Sequence, residues 1–114
     1  MKELKLVINN SKKKDEKVFF VRREFKTILN LYAKMVSNGD WKDYGLSTNY
    51  KEISFDIYKR SSEKPFLRIL KNLSPKNISE KYLVKDKNGK IIQKSENLKV
   101  LINKTSWNYL RLVK

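Results

Sequence analysis

Apolar positions recur at spacings of three and four between Arg22 and Ser37. Phe25, Ile28, Leu29, Tyr32, Met35 and Val36 would form one wide helical face, with Leu31 beside it. Arg22, Arg23, Lys26, Asn30 and Lys34 fill the remainder, and Glu24 sits early, where the helix dipole favours an acid. Gly39, just beyond the periodic run, suits a helix C-terminus because glycine tolerates positive φ. Trp41 and Tyr44 are three apart, so a further helical turn would point both the same way.

The period then changes from helical to alternating. Within Tyr50–Arg60, Ile53, Phe55 and Ile57 alternate with Ser54, Asp56 and Tyr58, which predicts a strand. Phe66–Lys71 predicts its hairpin partner, with Leu67 and Ile69 inward and Arg68 outside. Asn72–Glu80 reads as a loop. Lys81–Ser95 reads as a second hairpin turning at Asn88-Gly89, with Tyr82 and Val84 paired across to Ile91 or Ile92. Ser95 is expected to cap a short helix in which Leu98, Leu101 and Ile102 share a face. Leu4–Asn9 reads as a short strand, Asn10–Lys17 as a polar connection, and Trp107–Val113 as a strand or a helix. These elements predict an α+β fold. One main amphipathic helix packs on a mostly antiparallel sheet of three to five strands, with a short second helix.

At 114 residues the chain is expected to form one small basic domain over 1–114, with residues 1–16 mobile in part. There is no cysteine and no histidine. Disulfides, thiolate zinc sites and histidine-based acid–base chemistry are therefore excluded. No glycine-rich phosphate loop is present, and Asp86–Lys90 lacks the spaced acids of a calcium loop. Asp40 and Asp43 are close enough in sequence to share a face, but acids there are expected to meet arginines and close turns. The expectation is a non-catalytic protein with no cofactor, no metal and no membrane span. With no signal segment and no long apolar run, the expected setting is cytoplasmic.

The formal net charge is +15, from 27 basic and 12 acidic residues. Residues 58–114 hold 15 of the basic and 4 of the acidic residues, hence +11 of the total. Such a field attracts polyanions. However, 22 of the 27 are lysines rather than arginines, a bias that A/T-rich codons also produce. The candidate nucleic-acid or anion site is Tyr58, Lys59, Arg60, Arg68, Lys71 and Lys94. Gly39, Asp40, Trp41, Asp43 and Tyr44 form a candidate structural junction. The partner is unknown. Nucleic acid and another protein, including a second copy, are the two classes the sequence admits, and an accessory binding module is the broad reading.

An ordered series of pieces carries a family resemblance: the Arg22-Arg23 helix start, Leu31-Tyr32, Gly39-Asp40-Trp41, Asp43-Tyr44, "ISFDIYKRSSEKPFLRILK", and the later Gly89–Ile92. With these the chain resembles a small uncharacterised alphaproteobacterial family, a domain of unknown function, from about residue 18 to the C-terminus. The resemblance implies a bacterial cytoplasmic setting and a single structural unit. It supplies no activity, partner or catalytic residue. In that family the Lys42 position is more often arginine, Asp40 often corresponds to glutamate, and paired arginines usually stand where this chain has Lys59-Arg60.

Overall fold

A computed structural model describes residues 19–59 and 64–107. The predicted strand at Leu4–Asn9, the connection Asn10–Lys17 and the final stretch from 108 onward lie outside the described residues, as does Arg60.

The order is α1 (Arg22–Ser37), β1 (Asp43–Thr48), β2 (Glu52–Tyr58), β3 (Leu67–Asn72), a 3-10 turn (Ile78–Glu80), β4 (Tyr82–Asp86), β5 (Ile91–Ser95) and α2 (Leu98–Lys104). The strands form one five-stranded sheet in sequence order, each pair antiparallel. Strands consecutive in sequence are neighbours in space, so the sheet is a simple meander. Both helices pack on one side of it, giving the expected α+β fold.

Alternation sorts the sheet into two sides. Ile53, Phe55 and Ile57 of β2 face the helices, together with Leu67 and Ile69 of β3 and Tyr82 and Val84 of β4. Phe25, Ile28, Leu31 and Met35 of α1 and Leu98 and Leu101 of α2 close over them. The buried stripe of α1 is rotated from the sequence expectation. Leu31 is buried, whereas Val36 is 39% exposed. Glu24 is buried on that same stripe, which sets the rotation.

No further helical turn forms around Trp41 and Tyr44; that stretch is the entry to strand β1. A Schellman motif ends α1: Gly39 N–H donates to Val36 O at 2.9 Å and Asp40 N–H to Met35 O at 2.9 Å. Gly39 has φ +81°, which a side chain would strain. The chain then pairs Asp43 with Tyr58 and runs extended to Thr48. Pairing with β2 satisfies backbone groups that an isolated helical turn would leave open.

Two local expectations also change. Asn97, not Ser95, caps α2, its Oδ1 accepting the Val100 N–H at 3.0 Å. Ser95 sits at the end of β5, and its Oγ accepts the Asn97 N–H at 3.1 Å, one step earlier. In the second hairpin Tyr82 pairs with Ser95, Val84 with Gln93 and Lys85 with Ile91, because a bulge at Val84/Lys85 skips Ile92. Gly89 takes φ +84° at the hairpin turn, where Asp86 Oδ1 accepts the N–H groups of Asn88 and Lys90.

Candidate binding surface

Two acids are buried against the sheet, Glu24 of α1 on one side and Asp56 of β2 on the other, and each engages neighbouring charged or polar side chains. On the helix side Glu24 accepts a hydrogen bond from the Tyr82 hydroxyl, one from Lys71 Nζ at 2.9 Å, and one from its own N-cap N–H, Val21, at 2.8 Å. Burial pushes the Glu24 carboxyl upward. The hydrogen bonds from Tyr82, Lys71 and Val21 and the Lys71 charge outweigh that push and hold it below the ordinary carboxylate range. Burial, followed by the hydrogen bond to Glu24 and its charge, raises Tyr82 well above an ordinary phenol. Tyr82 therefore remains a donor at neutral pH.

On the distal side, away from the helices, Asp56 of β2 accepts hydrogen bonds from Ser47 of β1 and Ser54. Arg68 Nε lies 3.5 Å from Asp56 Oδ1. These three contacts give the buried carboxylate the partners its burial demands. The acid beside Arg68 is thus Asp56, while Asp43 Oδ1 accepts the N–H of Tyr44 at 2.8 Å.

The register separates the residues of the sequence-derived site. Tyr58, Arg68 and Lys94 lie on the distal side, and Lys71 lies on the helix side, locked to Glu24. Lys59 Nζ stands 4.9 Å from the centroid of the Phe66 ring. Lys94 approaches Glu80 of the 3-10 turn at 3.6 Å. Arg68 and Lys94 keep 46% and 52% of their side-chain surface exposed. Lys85, which the sequence reading did not single out, joins this group because β4 places it directly opposite Arg68. Its one sequence signal is strand parity with Leu83, two residues earlier. The Tyr58 ring lies along the sheet, its Cε1 3.7 Å from where a Cβ on Gly45 would be. Leu70 and Leu83, paired between β3 and β4, lie on the same side and are buried.

The junction residues form an aromatic seam. Trp41 is 1% exposed. It meets Tyr32 at 6.1 Å and Trp107 at 5.7 Å between ring centroids. Tyr44 stacks on Phe55 at 4.7 Å and meets Tyr32 edge-on at 4.9 Å. Burial, followed by the Asp43 charge and Tyr44, raises the Tyr32 hydroxyl above its usual range.

The family model described as "Protein of unknown function (DUF2794)" matches residues 18–102, which span α1 through most of α2 and every strand. The chain belongs to this family. The match ends at Ile102, short of the C-terminus to which the resemblance was expected to run, and it carries no restriction to one bacterial class. No curated protein and no solved structure matches the chain at significance. Among the described residues of this DUF2794 member there is no cluster of three or more acids able to hold a metal ion. No described helix is long and apolar enough to cross a membrane.

Proposed function

We propose that this DUF2794 domain is a non-catalytic accessory module, acting in the cytoplasm, that binds an extended polyanion, nucleic acid foremost, across the distal side of its sheet. The observation that carries this reading is the grouping of Tyr58, Arg68, Lys85 and Lys94 on one side of the sheet. A flat ring and several cations on one surface suit a stacked base and its flanking phosphates. Arg68 touches Asp56 through Nε. Its terminal nitrogens can therefore serve a phosphate without breaking that contact. The engagement of Glu24 and Asp56 by neighbouring side chains supports the non-catalytic part, since both act as structural acceptors.

The test is fluorescence anisotropy of the full chain with labelled single- and double-stranded RNA and DNA over a salt series. Binding should weaken steeply as salt rises. Arg68→Gln combined with Lys85→Gln should lower the slope of log affinity against log salt by about two, one per cation. Lys99→Gln combined with Lys104→Gln, on α2, should leave that slope nearly unchanged. No binding at low salt, or equal losses in the two double variants, would overturn the reading.

A further inference from the structure

Leu70 of β3 and Leu83 of β4 stand apart from the core. They are 1% and 6% exposed, yet among the described buried apolar side chains they alone lie outside the cluster that the helices close over. The register puts them on the distal side, opposite each other and beside Ser54, which is 4% exposed. Neighbours within a sheet reach only the flanks of such side chains, so an uncovered side leaves their tips in water. Both helices pack on the other side. The 3-10 turn meets the distal side at its β5 end, through Glu80 and Lys94, and its own Ile78 is 58% exposed.

This burial is found within a single chain, so a segment of the same chain covers the pair. Residues 60–63 join β2 to β3 beyond Tyr58, at the end of the hairpin away from the Ser54–Leu70 pair. Residues 108–114 start from Trp107, whose ring meets Trp41 and whose Nε1 donates to Ile102 O on the helix side. Residues 1–18 lead into Phe19, which shares a hollow at the β1 edge with Ser47, a residue of the distal side. From that edge, Asn10–Val18 span up to about 30 Å when extended. The way from β1 to β4 is three strand spacings, about 15 Å.

From this arrangement we infer that the N-terminal segment Leu4–Ile8 docks across the distal side and covers Leu70 and Leu83, making a second, smaller core opposite the helices. In an extended segment Leu4, Leu6 and Ile8 share one face and Lys5 and Val7 the other, so three aliphatic side chains meet the leucine pair. Removing both apolar surfaces from water is the driving force. Charge does not select this occupant, because Asp43 and Glu52 stand on the distal side together with Arg68, Lys85 and Lys94. Arg68 and Lys94 keep 46% and 52% of their side-chain surface exposed at the rim of the covered pair, where a polyanion can still reach them. The docked segment therefore does not depend on the polyanion reading.

The chain has no cysteine, so Lys5→Cys gives a single attachment point for a nitroxide spin label on the full chain. In NMR spectra of the isotope-labelled protein, this label should broaden the amide signals of Ser54, Leu70 and Leu83 far more than those of Ile28 and Leu101, beyond the sheet. A label placed through Tyr109→Cys should not single out the same three residues. In a second measurement, Leu6→Asp should shift the methyl signals of Leu70 and Leu83 and leave those of Ile28 and Leu101 in place. Several results would overturn the inference. One is stronger broadening of the distal residues by the label at 109, which would make residues 108–114 the cover. Others are equal broadening on the two sides of the sheet, broadening that vanishes on dilution and so comes from a second copy, and unmoved Leu70 and Leu83 methyls in Leu6→Asp. None of these samples contains nucleic acid, so failure here is distinct from failure of the polyanion reading.

Discussion

Glu24 decides more than its place in the helix suggests. As the third residue of α1 it has an ordinary local role, reaching back to the Val21 N–H. Folding adds Lys71 from 47 residues away and Tyr82 from 58, and the three tie α1 to β3 and β4. Glu24→Gln leaves the Lys71 charge, nearly buried, without its counter-charge. It should destabilise the protein by about 3 kcal/mol at neutral pH, read as a lower urea midpoint with an unchanged slope. The pH dependence follows from the lowered carboxyl. Its contribution is fully present above the unfolded carboxylate value of about 4.3 and is lost as pH falls through the folded value. The gap between wild type and Glu24→Gln should therefore narrow in acid. A constant gap from neutral to acid pH would show that Glu24 is not the titrating group. Tyr82→Phe removes only the hydroxyl donor and should cost about 2 kcal/mol, measured in the same way.

At the scale of elements, the helices and the two predicted hairpins follow local signals, while β1 follows a tertiary one. Asn97 holds the first turn of α2, and Leu98 and Leu101 anchor that helix. Asn97→Ala should cost about 1 kcal/mol, with faster hydrogen exchange in α2. Unchanged α2 exchange would mean that packing alone holds the helix. β1 has a mostly exposed, irregular pattern, and alternation does not identify it. Its strand form comes from the ladder with β2 and from Tyr44 stacking on Phe55, a contact across 11 positions. The candidate surface was legible to a similar degree. Alternation placed Arg68 outward and Tyr58 opposite the core. Continued from Leu67 and Ile69, the same alternation puts Lys71 on the helix side, but nothing in the sequence pairs it with Glu24, 47 positions away.

For the whole molecule, charge is the dominant long-range quantity. The described ion pairs are Arg68–Asp56, Lys71–Glu24 and Lys94–Glu80. They engage cations locally, yet the chain total remains +15. Self-repulsion at that net charge destabilises the compact state and is screened by salt. Raising sodium chloride from about 10 to about 150 mM should therefore raise the thermal midpoint by a few degrees. A falling midpoint would mean that the local pairs outweigh the net repulsion.

The amino-acid sequence by itself determined the class of the fold, the main helix, the two hairpins and the excess of positive charge. Each depends on periodicity, turn chemistry or composition within a short stretch. Tertiary structure decided which cations share a side, which acids are buried beside them, and that Asp43–Thr48 is a strand. Those outcomes depend on strand register and on contacts between distant residues, and a single step of register reverses every side chain. The junction at Gly39–Tyr44 shows both at once. Glycine and its left-handed backbone end the helix locally. The burial of Trp41 against Tyr32 and Trp107 exists only once the chain has closed on itself.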